Sequence, residues 1–305
     1  MKLGMLTAAL PMLSLEEIAT WAGKTGYDAL EVATWPSVGR QFYEAAHLPV
    51  ETFGSREADK TWDLLARHDL SISALAYYEN NLHPDPVRRE VIRTHLKCVI
   101  DTASTLGVPY VGTFIGRDWT RTVAQNMADA EPAFRDIVDY AGERDVQITI
   151  ENCPMEGWHP DGYPANLAYS PELWEWMFDL GLYLNWDPSH LVWQGIDPLT
   201  TIAPYAHRIV HAQAKDVEIR QDRLNRYGIF GKAARENPWD AGWWRYRVPG
   251  RGQIEWSPIV DALYEHGFTG TLSVEHEDPV WRGGEERIKT GLKIAETTLR
   301  PLLVL

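Results

Sequence analysis

Cysteine is scarce. Cys98 and Cys153 are the two thiols in 305 residues. That builds neither a disulfide framework nor a thiolate metal site, and it fits a reducing, cytoplasmic setting. Positive charge is short as well: 29 Lys and Arg stand against 43 Asp and Glu, for a formal net charge of -14. Affinity for phosphate backbones and anionic membrane surfaces comes from clustered cations, so neither nucleic acid nor a membrane is an expected partner. Long apolar runs are missing, and no stretch reaches the roughly 18 residues that a membrane span needs. No GxGxxG follows a candidate strand, which argues against an open dinucleotide-binding sheet. No Gly-rich phosphate cradle and no composition break marking a second domain are found. Met1–Leu15, apolar after a single Lys, admits either a first strand or a secretory leader. Pro11, the lone basic residue and the lack of a cleavage site favour the strand.

What is present is a regular alternation. Candidate strands are Lys2–Ala8, Ala29–Ala33, Ser71–Tyr77, Tyr110–Ile115, Gln147–Glu151, Leu182–Asp187, Arg208–Gln213 and Thr271–Glu275. Helical patterns lie between them. Ser14 and Glu17 make a capping box, in which each side chain satisfies an orphan N–H at the helix start. Asp85-Pro86, Ser170-Pro171, Asp197-Pro198 and Ser257-Pro258 each set a cap residue before a proline at the first helical position. The third helix, about Val87–Leu106, puts Val91, Ile92, His95, Leu96, Val99, Ala103 and Leu106 on one face, and Gly107 ends it. Eight strands alternating with helices predict an α/β fold, a (β/α)8 TIM barrel in one domain over 1–305. One long insertion, about 217–255, follows the seventh strand and reads as a lid or wall.

Strand polarity points to chemistry. Neighbouring side chains of a strand face opposite sides. Ile148 and Ile150 alternate with Gln147, Thr149 and Glu151; Leu184 and Trp186 with Asn185 and Asp187; Ala212 and Ala214 with His211, Gln213 and Lys215; Leu272 and Val274 with Ser273 and Glu275. The apolar set must meet the helices, so the polar set points into the barrel. Buried carboxylates without partners are very costly. Glu151, Asp187, Gln213 and Glu275 at strand C-terminal ends therefore imply a shared cation, at the face where this fold carries its active sites.

The local motifs are Glu151-Asn152-Cys153-Pro154, Asp187-Pro188-Ser189-His190, His211-Ala212-Gln213-Ala214-Lys215-Asp216 and Glu275-His276-Glu277-Asp278. In this order they resemble the xylose-isomerase-like sugar isomerase/epimerase superfamily, which includes ketose 3-epimerases and inosose dehydratases. The resemblance covers the whole chain. It implies that Glu151, Asp187 and Glu275 bind one divalent metal and that His190 contacts substrate. It also implies a His ligand at the position held here by Gln213. Gln can bind through its carbonyl oxygen, a hard donor, so three carboxylates and an amide favour Mn2+ or Mg2+ over Zn2+, with Co2+ admitted. The alternatives are His211 as the fourth ligand or a weakened site.

The expected reaction is isomerisation or epimerisation of a sugar or keto-sugar. Glu151 and Glu275 would exchange the proton next to a carbonyl through a metal-stabilised enediolate, and His190 would hold a substrate oxygen. A lyase on the same site is the close alternative, either dehydrating an inosose or eliminating from a 3-keto-glycoside, including C-glycoside cleavage. His159 or His190 would then be its acid or base. A non-catalytic sugar-binding subunit and a repair-type endonuclease come further behind. The endonuclease would need extra His ligands and a basic groove.

Substrate contacts are also expected from Lys215, Trp158, His159 and Arg251, although Lys215 could instead pair with Asp216 or Glu275, and Arg251 could close the lid by an ion pair. His83 also lies near the mouth. His276 has the parity of a structural residue. Of the 14 Trp, Trp35, Trp119, Trp158, Trp193, Trp239, Trp243, Trp244 and Trp281 follow strands, which predicts an aromatic-walled pocket for an unphosphorylated sugar or glycoside. Pairing with a second copy or a partner subunit stays open.

Overall fold

The computed structural model describes residues 1–37, 45–231 and 241–304. Short runs with inward polar and outward apolar side chains pair in parallel and close on themselves. These are β1 (Lys2–Leu6), β2 (Ala29–Ala33), β3 (Ser71–Asn80), β4 (Tyr110–Phe114), β5 (Gln147–Glu151), β6 (Tyr183–Trp186) and β7 (Ile209–Ala214). After β7 come β8 (Asp216–Ile219) and β9 (Trp244–Arg247), and β10 (Thr271–Val274) completes the cylinder. The barrel order is β1-β10-β7-β6-β5-β4-β3-β2, closed, as the alternation predicts. Residues 2–6 are thus a stave. Among the described residues no helix is long and apolar enough to cross a membrane.

The parity reading holds. Ile150, Leu184, Trp186, Ala212, Ala214, Leu272 and Val274 are fully buried beneath the helices, while Thr149, Asn185, His211, Gln213 and Ser273 are buried inside the barrel. Four strands end earlier than their patterns suggest, β1 at Leu6 and β4 at Phe114 among them. β6 stops at Trp186 and β10 at Val274, so Asp187 and Glu275 sit one residue beyond the ladder. From there each still brings a carboxylate oxygen within 4.8 Å of Glu151.

Helix starts follow local chemistry, with exceptions. Ser14 and Glu17 form the capping box of α1 (Leu15–Thr25), and Asp85 caps α3 (Pro86–Leu106), which follows α2 (Ser55–Ala66) and ends at Gly107 with φ 67°. Val91 departs from the expected stripe and is exposed, because it lies about 100° round the helix from Ile92. Thr122 and Gln125 form a second capping box at α4 (Val123–Gly142). Ser170 precedes α5 (Pro171–Asp179) without a side-chain cap, and Asp187 caps α6 (Pro188–Trp193) through Ser189 N–H. α7 (Leu199–Tyr205) starts one residue past Pro198, with Asp197 accepting from Leu199 N–H. After α8 (Gln221–Tyr227), α9 (Trp256–Glu265) has Glu255 instead of Ser257 at its N-cap position, without a side-chain cap, so Pro258 falls third in its first turn, where its missing N–H does no harm.

The insertion folds back on its own root. β8 and β9 pair antiparallel, Val217 opposite Tyr246. The Asp216 carboxylate accepts from Val217 N–H at 2.8 Å, Ile254 N–H at 3.0 Å, and Gly250 and Gly252 N–H at 3.1 Å. Arg247 donates to Asp278 at 2.9 Å and to Glu218. These bonds tie the ribbon to the ends of β7 and β10 and bring Tyr246 beside His190.

The last helix, α10 (Glu285–Leu299), passes close to the loop after β10. A Cβ on Gly291 would lie 2.3 Å from His276 Nε2 and 2.9 Å from Trp281 Cβ. Ala gains about 1 kcal/mol over Gly in a helix interior, yet here the overlap dominates. Gly291→Ala is expected to destabilise the fold by about 1–3 kcal/mol, seen as a lower urea midpoint at unchanged slope. A midpoint at or above that of the parent would mean that the contact yields freely.

Candidate metal centre

Glu151 closes β5, Asp187 follows β6 and Glu275 follows β10, and each places one carboxylate oxygen within 4.8 Å of the others. Glu151 and Asp187 are 2% and 0% exposed. A cation already stands among them, and it belongs to the chain. Lys215 Nζ lies 2.7 Å from Glu275 Oε2, 3.1 Å from Glu277 Oε2, 3.2 Å from Asp187 Oδ2 and 3.8 Å from Glu151 Oε1. Burial opposes its charge, but the surrounding carboxylates outweigh burial and hold the ammonium well above its usual range.

One ammonium does not balance four carboxylates. Burial, then repulsion from Glu275, pushes Glu151 well above the ordinary carboxylate range. Burial likewise raises Asp187, and it raises Glu275 to about 8 despite Lys215. The cluster therefore holds protons or takes up further positive charge. Asp187 Oδ2 is met by Lys215, whereas Gln213 Oε1 is buried with no hydrogen-bond partner among the described residues. An all-oxygen donor set with an excess of carboxylates over cations and one unmet amide oxygen fits a hard divalent ion.

His190 stands one turn beyond Asp187 on α6. Its Nε2 is 3.0 Å from Glu151 Oε1 and 3.4 Å from Asp187 Oδ2. Burial, reinforced by Lys215, holds the imidazole well below its usual range, so the ring is neutral. With Nε2–H donated to Glu151, Nδ1 accepts from the Tyr246 hydroxyl at 3.0 Å, a tautomer assigned from the network. The Tyr246 ring covers Lys215 Nζ at 4.5 Å and meets Trp244 edge-on, and Trp244 stacks on Trp193 at 4.7 Å and 7°. This is one side of the aromatic wall.

Below the mouth lies a second polar layer. Gln213 Nε2 donates to Glu31 Oε1 at 3.2 Å and approaches the Tyr78 hydroxyl at 3.3 Å. His211 is turned away from the cluster, because its ring nitrogens meet Asn185 Oδ1 at 2.9 Å and Ser73 Oγ at 3.1 Å. The alternative of His211 as a ligand thus loses its donor atoms to the layer below.

With this geometry in hand, the comparisons with known proteins bear on the chain directly. A family model described as xylose isomerase-like TIM barrel matches residues 19–298. The chain belongs to that family. Uncharacterized protein YfiH of Bacillus subtilis is 28% identical over 98% of this chain and 99% of its own length. Inosose dehydratase of Clostridium botulinum is 36% identical over 101 residues, about a third (32%) of either chain. Among solved structures, the IOLI protein with a binding zinc atom superposes at TM-score 0.71, 20% identity and 100% of both chains. L-ribulose 3-epimerase does so at 0.69 and 15%, over 99% of this chain and 94% of that one. At these identities the two structures show a shared fold.

In this member of the xylose isomerase-like family, Glu151, Asp187, Glu275, His190 and Lys215 come together, while Gln213 stands one layer lower. The other expected contacts disperse. Trp158 meets Phe114 edge-on and, with Glu79, Asn80, His83, Arg88 and Trp119, lines a cavity of about 150 Å³. His159 packs on Tyr163 in the loop beyond, and its Nδ1 accepts from Asp161 N–H. Arg251 is a correction. It is exposed on an outer groove beside Thr290 and Lys293 of α10, because the Asp216 clamp on Gly250 and Gly252 turns that segment outward. His276 faces α10, as its parity implies. Trp35 donates to Glu79 at 3.3 Å, Trp243 sits edge-on to Trp193, and Trp239 lies outside the described residues.

Sequence reasoning missed Glu277, Tyr246, Tyr78 and Glu31. Glu31 had a legible signal, a charge in the middle of an apolar strand. Tyr246 had none, because the hairpin register alone brings it to His190.

The proton balance yields a prediction for the metal-free protein. A carboxyl that titrates near 4.5 when unfolded and at about 8 when folded makes the native state bind more protons between those values. Stability from this group therefore falls as pH rises from 4.5 towards 8. The melting temperature of chelator-treated protein should drop across that window, and Glu275→Gln should flatten the slope. An equal slope in both proteins would remove Glu275 as its source.

Proposed function

We propose that the chain is a divalent-metal-dependent isomerase or epimerase of an unphosphorylated sugar or keto-sugar, acting by proton transfer next to a carbonyl. One observation carries the reading: three strand-end carboxylates converge at the barrel mouth with more negative charge than Lys215 balances. When bound, a divalent ion supplies Lewis acidity towards a carbonyl and a neighbouring hydroxyl. Glu151, Asp187 and Glu275 would hold it, with Gln213 Oε1 as a fourth oxygen. Mn2+ is the first choice for such donors, ahead of Mg2+ and Co2+.

The chain's own groups divide the remaining work. Glu151 and Glu275 come from strands separated by β6 and β7, so they reach the substrate from different sides. One takes the proton and the other returns one. Burial raises the basicity of both, towards the range useful for general base catalysis near neutral pH. His190, neutral and held by Tyr246, keeps an imidazole beside Glu151 to hold a substrate hydroxyl. Lys215 limits the net negative charge. The Trp193–Trp244–Tyr246 wall offers flat faces to the C–H side of a sugar ring and keeps water out. The described parts of the insertion, 217–231 and 241–255, would act as this wall within one catalytic unit.

A lyase reading has its own support in the inosose dehydratase likeness. The same proton abstraction would then expel a hydroxyl or an aglycone from the next carbon, with the Tyr246–His190 pair supplying a proton to the leaving oxygen.

Incubation with Mn2+ and a panel of ketoses, inososes and 3-keto-glycosides in D2O separates the two. Deuterium in an isomeric product is the expected result, whereas loss of water or aglycone selects the lyase. Glu151→Gln and Glu275→Gln should each lower turnover by about 10²–10⁴-fold. Full activity after exhaustive chelation, or in either variant, would refute the metal-carboxylate mechanism.

A further inference from the structure

We propose that Glu31 is a positioning residue for the metal centre, locking the Gln213 side-chain amide so that Oε1 is the end presented as a ligand. The inference rests on the metal-dependent reading above and concerns how this chain makes a ligand from glutamine.

A primary amide is nearly symmetric in shape, yet its two ends are opposite in character. Rotated one way it offers a carbonyl oxygen to a cation; rotated by half a turn it offers N–H donors, which a cation repels. A glutamine ligand therefore needs something that tells its ends apart. Glu31 does so, because its carboxylate oxygens already accept from both Gln213 Nε2 and the Tyr78 hydroxyl. Its oxygens lie 3.2 and 3.4 Å from Gln213 Nε2. Tyr78 reinforces the choice. It donates its hydroxyl to Glu31, accepts from Asn185 Nδ2 at 2.7 Å and stands 3.3 Å from Gln213 Nε2. Burial holds the Tyr78 hydroxyl protonated and able to donate.

Two further facts fit. Gln213 Oε1 is buried and has no partner among the described residues, so the lock leaves one unmet acceptor. Gln213 pairs with Ser273 across the β7–β10 ladder, two residues before Glu275, and it precedes Lys215 by two on the same inward face. Glu31 itself is fully buried, and among the described residues no salt bridge reaches it. Such a carboxylate is costly to keep. Its retention is explained if the charge serves the cation one layer above.

The test uses the full chain and the free-Mn2+ signal in electron paramagnetic resonance, with no substrate. Glu31→Gln should weaken Mn2+ binding by about 10–100-fold, the usual effect of losing an outer-shell partner. Gln213→Ala should weaken it at least as much, and the double variant no further, because the two residues act through one bond. Glu151→Ala should release the metal. Wild-type affinity in Glu31→Gln, or additive losses in the double variant, would overturn the inference while leaving the metal site standing. Should Glu31→Gln fail to fold by near-ultraviolet circular dichroism, wild-type affinity in Gln213→Ala alone would overturn it. If the parent chain takes up no Mn2+, the proposed metal dependence falls first and the inference falls with it.

Discussion

The mouth of this barrel depends on an electrostatic imbalance. Lys215 faces Glu151, Asp187, Glu275 and Glu277 at 2.7–3.8 Å in a region largely closed to water. In bulk water such a cluster would be screened and weak. Here the strand ends desolvate it, so each missing positive charge is felt as a raised proton affinity. The ammonium keeps the fold viable, and the remaining deficit makes the site hungry for a cation. Structural and chemical roles are thus carried by the same charges.

The rest of the molecule supports that imbalance. The barrel fixes where the carboxylates emerge, because strands ending at Trp186 and Val274 leave Asp187 and Glu275 one residue past the ladder, within reach of Glu151. The ribbon after β7 is held at its root from both strands, by the Asp216 carboxylate on one and by the Arg247–Asp278 pair on the other. That anchoring lets Tyr246 sit over Lys215 and set the tautomer of His190. Beneath them, the Glu31–Tyr78–Gln213–Asn185–His211 layer fills the barrel with hydrogen-bonded polar groups, Gln213 Oε1 alone of the amide ends unmet, where many barrels carry aliphatic ones. The floor of the site is therefore polar and directional.

Much of this was legible from residue patterns. Alternation along four strands separated the helix-facing set from the inward set, and it placed Glu151, Asp187, Lys215 and Glu275 at one end. Short-range rules also worked where the chemistry is local, as at Ser14 and Asp85. They failed where a neighbour decides. Val91 fits the apolar stripe by type but lies past its edge. Ser257 has the composition of a cap, yet α9 begins earlier, at Trp256, and Ser257 falls inside its first turn. Arg251 looked able to reach the mouth from its place in the chain, but the Asp216 clamp points it outward.

By itself the sequence determined the cylinder, the end that carries the charges and the identity of those charges, because strand period and helix capping depend on residues a few positions apart. Tertiary structure decided which charges share a point, which way the Gln213 amide faces, and that a tyrosine from a distant ribbon touches His190. Those choices come from hydrogen bonds and burial between residues far apart in the chain. Their geometry is set by ladder register and loop closure, which no local pattern encodes.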